Sequence, residues 1–165
     1  SPDKKKPKTQ APTGSKALRQ AALNFDRIRK EYGVEQSRDV YIRSNCTFWF
    51  VGKIAFEPTA CNESVAATLQ KRLILEYARD LLRLPAGTIE SELWLAPGDS
   101  EMDVVRNMVN LDKVGGSADE TIGLSAIGYN PEMYVGEEVT KGGLRVERDQ
   151  NGRPTKQVFD INEAI

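Results

Sequence analysis

The hydrophobic pattern of the chain changes period near residue 60. Before it, Val40-Tyr-Ile-Arg-Ser-Asn and Cys46-Thr-Phe-Trp-Phe-Val are aromatic and β-branched, which suits a pleated, half-buried surface. They predict one long strand or two adjacent ones. Gly52 is expected to mark a bend or bulge, the strand to continue over 53–57, and Pro58 to end it. After it, Val65, Leu69, Leu73, Tyr77 and Leu81 recur every four residues, and Ala66, Ile74, Ala78 and Leu82 widen the same face. That spacing predicts an amphipathic helix over 62–83, with Asn62 as its N-cap and Pro85-Ala86-Gly87 beyond its end. Lys71, Glu76, Arg79, Asp80 and Arg83 are expected to face water. Strands that feed directly into a helix able to cover them make a two-layer core.

The flanking segments pattern less strongly. Residues 1–14 hold three prolines and four lysines and little to bury, which predicts a flexible basic arm. Ser15 is expected to cap a basic helix that ends at Gly33, giving a docking helix over 15–33. Residues 35–165 then form a single domain. Thr88 to Ala96 alternates, with Leu93 and Leu95 on one side and Glu90, Glu92 and Trp94 on the other. This predicts a strand with one wet face. Trp94 there is either covered by a neighbouring segment or an exposed partner-binding anchor. Ser100 precedes a predicted short helix over 101–110. Residues 115–120 read as loop, and 122–135 as loop with a short strand. Asn151-Gly152 between two alternating runs predicts a two-residue hairpin, which sets Glu147 opposite Lys156 and Leu144 opposite Phe159.

Net charge is only −1, but it is unevenly spread. Residues 1–30 hold nine Lys/Arg and two Asp/Glu, and the remainder holds fourteen and twenty-two. A basic leader on an acidic body either solubilises the chain or docks on something negative. The candidate docking residues are Lys4, Lys5, Lys6, Lys8, Arg19, Arg27, Arg29, Lys30 and Trp94. The 165 residues contain no His, which removes the commonest general base and the commonest metal ligand together. Nucleophile options then shrink to Ser-Lys types. Val114-Gly-Gly-Ser and Lys141-Gly-Gly lack the strand, helix and Lys-Ser/Thr of a phosphate loop. Asp99-Ser-Glu-Met-Asp103 has metal-like spacing but reads more simply as a capped helix start. No enzymatic activity, metal or cofactor is expected. Cys46 and Cys61 read as buried thiols in a reducing compartment, with a bridge between them left open. Tyr41, Phe48, Trp49 and Phe50 read as core, although such rings also stack bases.

At Ile42-Arg43, Asn45, Trp49, Ile54, Thr59 and Val65-Ala66-Ala67 the chain resembles the chloroplast hypersensitive-to-high-light protein family. The match covers roughly residues 40–85. Phe50-Val51-Gly52 stands where that family has Tyr-Pro-Leu, and Glu57-Pro58 where it has paired glycines. The resemblance implies a transit-cleaved protein on the stromal side of the thylakoid membrane; the start at Ser1 without Met fits a cleaved leader and equally a trimmed chain. It also implies an accessory, assembly or repair factor that contacts subunits of photosystem II. A von Willebrand A-like region has been suggested for the family, but the Asp-x-Ser-x-Ser metal motif is absent here and no metal site is implied. The expected fold is α+β, a mainly antiparallel sheet covered on one face by a long helix. The expected partners are membrane-protein complex subunits and an anionic lipid surface, with an organellar ribosome or RNA as the alternative.

Overall fold

The computed structural model describes residues 13–83, 85, 87–116, 121–132 and 143–155. Helix α1 (Ser15–Tyr32) leads into a hairpin of β1 (Ser37–Ser44) and β2 (Thr47–Phe56). Helix α2 (Glu63–Leu82) follows, then β3 (Leu93–Pro97) and the short α3 (Glu101–Val105). Strands β4 (Asp112–Lys113), β5 (Ile127–Pro131) and β6 (Arg145–Glu147) complete the sheet. The order is β4-β3-β1-β2-β5, with β6 also on β2, and each of these pairings is antiparallel. The fold is α+β, as the sequence pattern predicts.

The predicted irregularity at Gly52 is a β-bulge that decides which side chains enter which layer. Val40 pairs with Gly52 and Tyr41 with Phe50, so Val51 is the extra residue. One extra residue reverses the facing of everything beyond it. Phe48 and Phe50 therefore share a cluster with Tyr41, Trp94, Val104, Leu111 and Leu144. Beyond the bulge, Ile54 and Phe56 turn to the opposite face and join Ala66, Leu69, Leu73 and Ile74 of α2. Lys53 and Ala55 turn away from α2. Gly52 has φ 135°, and a Cβ there would lie 2.3 Å from the Asn130 carbonyl oxygen, so a side chain at this position is excluded twice.

Both faces of the sheet are covered. Helix α1 reaches the α2 layer through Ala21, and its second half buries Phe25 and Ile28 against Ala55 on the other side. It therefore crosses over the β5 edge. Among the described residues no helix is long and apolar enough to span a membrane.

Asn62 caps α2 as predicted, its side chain accepting the Val65 N–H at 2.9 Å. Asn62→Ala is expected to lower stability by about 1 kcal/mol in urea unfolding, the ordinary worth of such a cap. An unchanged midpoint and slope would show that the bond contributes nothing.

Four local expectations are corrected. Gly14, not Ser15, caps α1, and no side chain helps it. The strand expected over 88–96 is confined to Leu93–Pro97. Ahead of it the Glu90 N–H donates to the Arg43 carbonyl at 2.7 Å, and the Glu92 carboxylate pairs with the Arg43 side chain. Helix α3 stops at Val105, because Asn107 turns into the left-handed region at φ 59°. The C-terminal turn is wider than expected, with three residues, not two, inside the Asp149–Arg153 pair, whose Asp149 N–H donates to the Arg153 carbonyl at 2.9 Å. Arg148 bridges Pro154, Gly152 takes φ 76°, and Asn151 does not share its positive φ. The Asp149 carboxylate accepts the N–H groups of Asn151 and Arg153, which fixes this wider turn. Glu147 pairs with Thr47 on β2, and Leu144 accepts the Phe50 N–H through its carbonyl. Lys156 and Phe159, the partners expected for these two residues, lie outside the described residues.

Candidate functional site

The predicted docking residues fall into three groups. Lys4, Lys5, Lys6 and Lys8 lie outside the described residues. Arg19 and Lys30 are exposed on α1, as is Lys16 near its start. Arg27 and Arg29 already make ion pairs within the fold. Arg27 reaches Glu57 at 3.3 Å and Glu31 at 3.7 Å, and donates to the Ser125 carbonyl. Arg29 pairs with Asp99. These arginines fasten α1 to the loops at the sheet edge. Trp94 is no exposed anchor either. It is 2% exposed, stacks edge-on to Phe48 at 5.0 Å and donates its indole N–H to Glu92 at 3.2 Å.

The strongest concentration of charge is interior, and it lies where the bulge turns Lys53. The Lys53 ammonium meets Asp99, Glu101 at 3.1 Å and Asp39 at 3.5 Å. Strand β1 supplies Asp39, β2 supplies Lys53, and the turn entering α3 supplies Asp99 and Glu101. Arg29 of α1 closes the group from outside. Asp39 is fully buried, and its two oxygens accept the N–H groups of Asp99 at 3.0 Å and Ser100 at 2.9 Å. The carboxylate thus clamps the chain reversal after β3. Gly98 is needed there, because a Cβ would lie 2.4 Å from the Ser37 hydroxyl oxygen.

Electrostatics follow from this geometry. Burial pushes the Asp39 carboxyl up to about 7, against the opposing pull of Lys53 and the two backbone donors. Burial works against the Lys53 ammonium too. Its bonds to Asp99 and Glu101 and the charge of Asp39 outweigh that and hold its pKa above the usual lysine value. Asp99 is likewise penalised by burial, but Lys53 and Arg29 keep it below the usual carboxylate range.

The three acids bring carboxylate oxygens within 4.8 Å of one another, the spacing of a metal site. Lys53 already supplies the positive charge among them, so the chemistry is that of an internal ion-pair cluster. It offers no amine base, since the ammonium stays protonated. The neighbouring Ser100 hydroxyl donates to the Pro97 carbonyl, not toward the lysine.

No family model, curated protein or solved structure matches this chain.

The cysteines differ in setting. Cys46 is an exposed free thiol in the β1–β2 turn, which corrects its reading as buried. Cys61 is a free, half-buried thiol whose pKa is pushed up to about 11 by burial and the charge of Glu57. It is a poor nucleophile at neutral pH.

The cluster predicts a pH dependence. A carboxyl whose pKa is higher in the folded than in the unfolded chain stabilises the fold below its unfolded value near 4. That contribution is lost as pH rises through its folded value of about 7. Stability is expected to fall by a few kcal/mol at most between about pH 4 and 7, a tenfold change in proton affinity being worth about 1.4 kcal/mol. Asp39→Asn should flatten this slope in urea unfolding at several pH values. A parent protein whose stability rises steadily across that window would overturn the prediction.

Proposed function

We propose that the protein is a non-enzymatic accessory factor for assembly or repair, docking through its basic N-terminal segment on a membrane-bound photosynthetic complex. The family resemblance points to photosystem II and to the stromal side of the thylakoid membrane. One observation carries the docking part of this reading. Lys16 and Arg19 are exposed at the start of α1 and make no ion pair among the described residues. They continue the run Lys4-Lys5-Lys6 and Lys8, while the rest of the chain holds an excess of acid. Such a segment attracts anionic lipid headgroups or acidic subunit surfaces, with an affinity that salt screens.

The test must leave the core intact. Removing residues 1–30 would delete Phe25 and Ile28, so the informative variant lacks residues 1–12 and carries Lys16→Glu and Arg19→Glu. This variant is expected to lose most of its sedimentation with isolated thylakoid membranes at low salt. The parent should lose attachment steeply as salt rises to a moderate level. Equal attachment of the two proteins would end the docking reading. Tight, salt-sensitive retention of RNA on a nitrocellulose filter would assign the same cations to the alternative partner, an organellar ribosome or RNA.

A further inference from the structure

Between α1, α2 and the loop before β5 lies an open apolar groove of about 330 Å³. That is at the lower end of the volumes of small-molecule sites. Ala17 and Ala21 of α1 face Leu73 of α2 and Ile127 of β5 across it, and Leu124 stands at its lip with 44% of its surface exposed. The short alanine side chains on α1 leave this space unfilled. Among the described residues that line the groove, Lys16 is the charged one and none is an acid. Gln70 also lines it, although its side chain is buried. Its amide nitrogen donates to the Ala66 carbonyl at 3.1 Å, and an amide has hydrogen-bonding capacity beyond one such bond.

An apolar trough with a cation at its mouth and no opposing acid is complementary to one kind of molecule, a single aliphatic chain ending in an anion. We propose that this groove binds a free medium-chain carboxylate, with the chain against Ala17, Ala21, Leu73 and Ile127 and the carboxylate beside Lys16. Such binding is independent of docking, because the ligand is a soluble monomer and needs no membrane.

The test uses the full chain, stripped of lipid, and calorimetric titration with sodium decanoate below its micelle-forming concentration. Decanol serves as the uncharged comparison. Saturable binding of one decanoate per chain is expected. Lys16→Glu sits in the first turn of α1, where an acid suits the helix dipole, so the fold should tolerate it. It should weaken decanoate roughly fivefold or more by turning attraction into repulsion, and leave decanol within about twofold. Ala17→Phe should fill the groove and abolish both. Because that variant can disturb the helix packing, amide and methyl shifts are also followed in the parent protein on adding decanoate. They are expected at Leu73, Ile127 and Gln70. Shifts confined to other regions, an absence of saturable binding, or equal decanoate affinity in Lys16→Glu would each overturn the assignment. Because the arm variant shares Lys16→Glu with this test, a chain lacking residues 1–12 but keeping Lys16 separates the two: it should bind decanoate as the parent does, whatever its thylakoid attachment.

Discussion

Lys53→Met is expected to cost about 3–5 kcal/mol at neutral pH, the usual penalty for removing one partner of a buried ion pair. The side chain is 7% exposed, and Asp39, Asp99 and Glu101 converge on it. Methionine fills a similar volume, so the loss is electrostatic and not a cavity effect. Without the ammonium, three carboxylates face one another with only Arg29 alongside. Folded domains hold about 5–15 kcal/mol in total, so the variant should sit near the limit of folding. Acid should relieve it, because protons can replace the missing charge. The gap between parent and variant should therefore be smaller at pH 5 than at pH 7.5. Urea unfolding at the two pH values measures this. A gap that is equal at both would mean that Lys53 contributes packing and not charge.

Gly128→Ala is the second large effect, expected at about 3 kcal/mol or more because the added methyl group has no room to move into. A Cβ there would lie 2.2 Å from the Phe25 backbone nitrogen and 2.5 Å from its Cα. Backbone of a helix packed on a strand cannot yield as a flexible side chain would. The helix should lift from β5, exposing Phe25 and Ile28. Gly123→Ala is the internal control. Its φ is −72° and the nearest atom is the Ser125 hydroxyl oxygen at 4.0 Å, so the change should be neutral or mildly stabilising. Hydrogen exchange should show protection lost over α1 in Gly128→Ala while α2 stays protected. If α1 keeps its protection, the close approach is not what seats the helix.

The sequence made some of this legible. Helix α2 has a wide apolar face and an Asn cap, both local signals, and it formed as predicted. Gly52 signalled a bulge, but not its consequence. Strict alternation assigns Lys53 to the α2 face, and only the extra residue at Val51 turns it toward Asp39. Asp99 and Glu101 read as the start of a helix, and Glu101 does open α3 with Asp99 in the turn before it, but their partners on strands far back in the chain are not visible locally. Arg27 and Arg29 looked like free cations for the same reason, since Glu57, Ser125 and Asp99 are remote in sequence. Alternation puts Trp94 on the wet side of its strand, and of its two readings the covered one holds. Here the segment from 98 onward returns over that face, and Phe48, Leu111 and Val104 enclose the indole.

The seat of α1 is built late. Its contacts with Gly128, Ser125 and Leu124 join positions about one hundred residues apart. During synthesis α1 emerges long before the strand β5 it will rest on, and until then Phe25 and Ile28 have at most Ala55 of β2 to cover them. Closure across so long a span is entropically slow. The β1–β2 hairpin and α2 can organise earlier from neighbouring sequence, so α1 is the piece a holding chaperone would meet.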